Sequence, residues 1–140
     1  MGQEPQEDLS PVLVSACLLG ERCRWHGEIH ESASVRKLIG KRPFYTACPE
    51  MLGGLPCPRH PVKRLHGRVY ETCEDKAERK NVTGTDRTQE FELGAQKTLA
   101  MCRRLGIKTA YLAARSPSCD KSGITGKLLI EEGIKVVNVF

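Results

Sequence analysis

The chain has 140 residues, 39% of them hydrophobic and 28% charged, with a formal net charge of +5. That is one domain's worth of an ordinary globular composition, and no apolar run approaches the roughly 20 residues a membrane helix needs. Seven cysteines, an odd number in a chain able to bury its own core, argue against a disulfide framework.

Residues 1–10 are polar and acidic and lack the basic and apolar regions of a secretory signal. They read as a flexible lead-in to a single domain over 11–140, and the protein reads as cytoplasmic. Val12 to Leu18 is a short apolar, β-rich run after a proline and predicts a buried strand. A turn follows over 20–27. Glu31 to Ile39 predicts a helix with Val35, Leu38 and Ile39 on one face, ended by Gly40. Phe44 to Cys48 predicts a second strand, stopped by Pro49.

From Pro49 to His66 the density of proline and glycine predicts a rigid loop without helix or central strand. Leu65 to Glu71 predicts an edge strand or hairpin, and Thr72 to Thr85 an exposed charged stretch. Asp86 to Leu105 is the clearest helix. Asp86 is placed to cap it, with Gln89 three residues on, and Phe91, Ala95, Leu99, Cys102 and Leu105 form its apolar face. Gly106 stops it. Ile107 to Ala114 predicts a third strand and Ile134 to Phe140 a terminal one. The alternation predicts a small α/β fold, Rossmann-like, with a mostly parallel sheet and flanking helices.

Three cysteines share one place in that scheme. Cys17 ends the first strand, Cys48 ends the second, and Cys119 lies in the loop after the third. Sites in open parallel sheets form beyond the carboxyl ends of the strands, so the three thiols should converge. Cys102 reads as core and Cys73 as incidental, while Cys23 and Cys57 sit in loops near the site. The tight cysteine pairs of structural zinc and the Cys-x-x-Cys of redox proteins are missing. Three soft ligands on separate loops suit an iron–sulfur cluster with one iron open. Zinc and plain structural thiols remain alternatives at this point. The four histidines, His26, His30, His60 and His66, are irregularly spaced and suggest no ligand set of their own.

These segments resemble the family that includes the bacterial thiouracil desulfidases. The matching stretches are Val12-Leu-Val-Ser-Ala-Cys-Leu-Leu-Gly20, Cys48-Pro-Glu-Met-Leu-Gly-Gly-Leu-Pro56 with Pro58-Arg59, and Ser116-Pro-Ser-Cys119. Weaker matches are Cys23-Arg24 with Gly27, and Asn81-Val-Thr83 leading to Phe91 and Gly94-Ala95. The resemblance implies a [4Fe–4S] cluster on Cys17, Cys48 and Cys119 and removal of sulfur from a thiolated pyrimidine base or nucleoside. The chain departs from the pattern at Asp120, where the family has glycine, and at Trp25-His26. It also looks shortened after Gly126, where the family carries a longer loop and a helix, so one wall of the pocket is expected to be missing or rebuilt.

Within this reading Glu50, two residues after a proposed ligand, is placed to act as general base, or to pair with Arg59. Ser116 and Ser118 are candidates to protonate the leaving sulfur or to bond the cluster sulfides; the competing role is bonding to their own loop backbone. Ser15 reads as a local packing or capping residue. Arg24 and Arg59 are candidates to hold the polar edge of the base. Rival readings are a zinc site, and a non-enzymatic module that delivers sulfur or acts on thiolated tRNA. The scarcity of aromatics and the absence of an RNP-like stretch argue against a dedicated nucleic-acid platform.

Overall fold

The structure is a computed structural model that describes residues 9–21, 31–57, 62–75 and 80–140, with side chains from 73 to 84 left aside. Four strands form a parallel sheet: β1 (Val12–Ser15), β2 (Phe44–Ala47), β6 (Thr109–Ala113) and β7 (Lys135–Val139), in the order β2-β1-β6-β7. The order is set by burial. Val12, Leu13 and Val14 are all 0% exposed, so β1 is apolar on both faces and needs cover on both, as central parallel strands do. Phe44 and Tyr45 of β2 are 43% and 40% exposed, and β2 accordingly lies at an edge.

Helices α1 (Val35–Ile39), α3 (Thr88–Leu105) and α4 (Ile124–Glu131) supply the cover. Val35, Ile39, Leu99, Cys102 and Leu129 join the strand residues in one core. The predicted face of α3 is the buried one at Phe91, Ala95, Leu99 and Cys102, and burial pushes the Cys102 thiol up to about 11. Asp86 is not the cap expected for α3: that position is Arg87, without a side-chain cap, and the Asp86 carboxylate one residue earlier accepts from the Thr88 amide at 2.9 Å and the Thr88 hydroxyl at 2.6 Å. Those bonds, with Arg68, lower its pKa to about 2. At the other end Gly106 turns left-handed, and the Ile107 amide returns to the Cys102 carbonyl at 2.8 Å.

Several local expectations are corrected. α1 begins at Val35 rather than Glu31, because the Ser32 hydroxyl donates to the Phe140 carbonyl and the Ser32 amide to the Leu18 carbonyl. Leu38 is 46% exposed and does not share the buried face. The Pro49–His66 stretch holds a one-turn helix, α2 (Pro49–Leu52), since proline is tolerated at the first helical position. It also holds strand β3 (Val62–Leu65). β3 pairs antiparallel with β4 (Arg68–Asp75), and β4 with β5 (Lys80–Asp86), so the stretch expected to be merely exposed is a second sheet. His66 and Gly67 join β3 to β4 with φ of 50° and 78°, the paired left-handed residues of a two-residue hairpin. The region after Gly126 is not bare: α4 occupies it and packs on α3 and β7.

The sheets are tied through α3. The Val69 amide donates to the Thr88 hydroxyl at 2.8 Å, the Arg87 amide to the Val69 carbonyl at 2.7 Å, and Leu55, Val69 and Phe91 pack together. α2 meets α3 backbone to backbone. A Cβ at Gly53 would stand 1.9 Å from the Glu90 carbonyl oxygen, and one at Gly94 would stand 1.9 Å from that of Pro49. Both positions therefore require glycine for close approach rather than for chain conformation. Gly94→Ala should cost about 3 kcal/mol or more, above ordinary overpacking because the neighbour is main chain. Gln96→Ala, on the exposed face, should change stability by less than about 0.5 kcal/mol. Urea melts followed by circular dichroism compare the two.

Candidate functional site

The three proposed cysteines and Glu50 all follow the carboxyl ends of strands of the parallel sheet. Beyond Ser15 the chain tightens into a 3-10 turn (Ala16–Leu19), which carries Cys17 and closes at Gly20 with φ of 86°. β2 ends at Ala47, and Cys48 stands at the N-terminus of α2, whose first turn holds Glu50. Cys119 follows β6 in the loop leading to α4. β1 connects onward to β2 on one side and has β6 on the other, so the strand order reverses at β1. Ligands in open α/β sheets bind at such reversals.

Cys119 is the deepest of the three, 5% exposed, while Cys17 and Cys48 are half-buried. Burial pushes its thiol up to about 12; the Ser15 hydroxyl opposes this, and Cys17, Glu50 and Cys48 add to it through their charges. Cys17, Cys48 and Glu50 thus all bear on Cys119. A cleft of about 260 Å³ opens beside Cys48, lined by Ala16, Glu21, Thr46, Ala47, Met51 and Leu52.

The Cys119 loop is built by hydrogen bonds. The Ser116 hydroxyl accepts from the amides of Ser118 and Cys119 at 3.2 and 3.1 Å. The Ser118 hydroxyl is 1% exposed and bonds Thr125 at 3.0 Å, and the Ser118 carbonyl accepts from the Thr125 and Gly126 amides at the start of α4. Asn138 of β7 donates to the Cys119 carbonyl at 3.0 Å. Asp120 accepts from the Arg115 amide at 2.9 Å and from the amide and hydroxyl of Ser122 at 3.1 and 2.9 Å. It holds Arg115, a non-glycine residue with φ of 60°, in its left-handed conformation.

Of the other predicted residues, Arg24 and Arg59 lie outside the described residues, as do Cys23, His26, His30 and His60. Cys57 is half-buried, Cys73 lies on β4, and His66 is in the β3–β4 hairpin. The sequence reading missed Ser15, which bonds the Cys119 sulfur at 3.3 Å rather than capping locally. The signal was present: Ser15 is the polar residue in an apolar strand. It also missed Asn138, whose partners are 19 and 26 residues away.

The donors at this edge are thiols, soft ligands that suit iron–sulfur clusters and zinc alike. Among the described residues no three His, Cys, Asp or Glu side chains are grouped as one ion would need. Cys17, Cys48 and Cys119 are the residues that could hold such a cluster.

Comparison with known proteins places these features in context. A family model described as 2-thiouracil desulfurase matches residues 12–139. The uncharacterized protein YbbK of Bacillus subtilis (strain 168) is 32% identical over 142 residues, spanning 91% of this chain and 94% of the relative. A solved structure described as [4Fe-4S]-dependent thiouracil desulfidase TudS superposes with a TM-score of 0.76 at 32% identity, covering 92% of this chain and 90% of that one.

The Asp120 carboxyl is held below its ordinary value by the amides of Ser122 and Arg115 and then by the Ser122 hydroxyl. A carboxyl lowered on folding adds stability that is full above its unfolded value near 4 and is lost as pH falls through the folded value. Asp120→Ala should therefore cost about 1–2 kcal/mol at pH 7. Its stability curve should begin to approach that of the parent below about pH 4 and meet it only below the folded value. Thermal melts across pH 2.5 to 7, a range of roughly those values, check the sign.

Proposed function

We propose, from the premise that the chain belongs to the 2-thiouracil desulfurase family, that it replaces the sulfur of a thiolated pyrimidine with oxygen. Water supplies the oxygen, and the products are the oxo base and hydrosulfide. The observation that carries this reading is that Cys17, Cys48 and Cys119 each follow the carboxyl end of a parallel strand, β1, β2 and β6, at the strand-order reversal.

Cys17, Cys48 and Cys119 would hold a [4Fe–4S] cluster as thiolates. When bound, such a group supplies one iron without a protein ligand, a soft Lewis acid suited to a thiocarbonyl sulfur. Glu50 takes the proton from the water as its oxygen bonds the thiocarbonyl carbon. A general base must lie within hydrogen-bond reach of that water, and the first turn of α2 puts Glu50 on the cysteine side of the sheet. Ser116 is the better of the two serine candidates for protonating the leaving sulfur. Its oxygen accepts two amides and leaves its own hydrogen to be given, while the Ser118 hydroxyl is engaged with Thr125. The cleft beside Cys48 receives the base, and Arg24 and Arg59 hold its polar edge. α4 takes the place of the wall expected to be lacking and fixes the Cys119 loop through the Ser118 carbonyl.

Protein prepared without oxygen should be brown, carry about four irons per chain, and release sulfide and uracil from 2-thiouracil. Cys17→Ala, Cys48→Ala and Cys119→Ala should each lose both colour and turnover. Glu50→Gln should keep the colour and lower kcat about 10²- to 10⁴-fold, the usual contribution of a general base. A brown protein inert toward thiobases moves the reading to sulfur delivery or thiolated RNA. A colourless protein that takes zinc and refuses iron overturns it.

A further inference from the structure

Ser15 closes β1 at the place where the strand order reverses, and it is 2% exposed. Its hydroxyl has two neighbours. The Ala113 amide of β6 lies 3.0 Å from the oxygen, and the Cys119 sulfur lies 3.3 Å away. An amide N–H can only donate, so it occupies a lone pair on the serine oxygen. The hydroxyl has one hydrogen, and the sulfur is the acceptor that remains. The hydroxyl donates to the sulfur, and a thiolate there, having no hydrogen, has no role but to accept.

From this geometry we infer that Ser15 is a positioning residue that donates a fixed hydrogen bond to the Cys119 sulfur and so sets the reduction potential of the iron–sulfur cluster it helps to hold. The inference rests on the proposed cluster ligation. Once the sulfur is a thiolate it has no hydrogen to give and can only accept. A hydrogen bond to it stabilises negative charge, and hydrogen bonding to sulfur together with solvent exposure is a main determinant of cluster potential. The donor is shielded from water, and the ordinary competition from solvent is absent at that bond. The same hydroxyl ties β1, β6 and the Cys119 loop, so the electronic effect is built into the sheet rather than added by a mobile side chain.

The test is the midpoint potential of the reconstituted cluster, measured anaerobically in the parent protein, Ser15→Ala and Ser15→Thr. Ser15→Ala should shift the potential to more negative values at full iron content. Ser15→Thr, which keeps the donor, should stay with the parent. A Ser15→Ala protein that is folded, loaded with four irons and unshifted overturns the inference while leaving the desulfidase reading intact. Ser15→Ala also leaves the buried Ala113 amide without its acceptor and can fail to fold. In that event the parent protein decides: its reduced cluster should show, by electron–nuclear double resonance, a solvent-exchangeable proton coupled through a cysteine sulfur. Absence of that proton overturns the inference. A chain that takes up no four-iron cluster at all defeats this inference together with the reading beneath it.

Discussion

The site depends on β1 lying between β2 and β6 with all three strands parallel. Parallel pairing brings the carboxyl ends of the strands to one edge, and each chain segment that leaves that edge starts with or soon reaches a cysteine. The reason β1 takes the centre is physical. Val12, Leu13 and Val14 expose nothing, and only a position with cover on both faces buries side chains that alternate up and down. Cys17, Cys48 and Cys119 are far apart in sequence but follow the ends of three neighbouring strands in this arrangement.

Bringing thiols together is unfavourable without something to hold them there. Like charges repel, and burial disfavours each thiolate. The fold meets this with backbone and hydroxyl bonds around the deepest thiol. Ser116 fixes the loop amides, Asn138 fixes the Cys119 carbonyl, and Ser15 reaches the sulfur itself. On the other side, the glycine contact of α2 with α3 sets where Cys48 and Glu50 stand. Loops held this way suit a group that must bind one side of a cofactor while leaving the other open to substrate.

Much of this was legible in the residues. The apolar run of β1, the periodic face of α3 and the position of three cysteines after predicted strands were all readable, and the parallel α/β fold followed. Other features were not, because they arise from partners distant in sequence. The hairpin expected near Leu65 to Glu71 is there, but its third strand was hidden in the charged Thr72–Thr85 stretch, where β4 and β5 pair with each other. α2 was hidden by prolines that read as breakers, although one of them begins the helix. The helix α4 over Ile124–Glu131 was not foreseen, because Gly126 read as a breaker, whereas it stands where the helix start packs against the Asp120 carbonyl.

By itself the sequence determined three cysteines, their order along the chain and their association with strand ends, because strand patterning and cysteine spacing are local properties. Only the tertiary structure decided which hydroxyls face the sulfur and which face away. Ser15 and Ser118 are both buried serines near cysteines, yet one bonds Cys119 and the other bonds Thr125. That choice is made by β6 and α4, whose backbone and side chains occupy the remaining directions around each oxygen, and no window of sequence around either serine contains them.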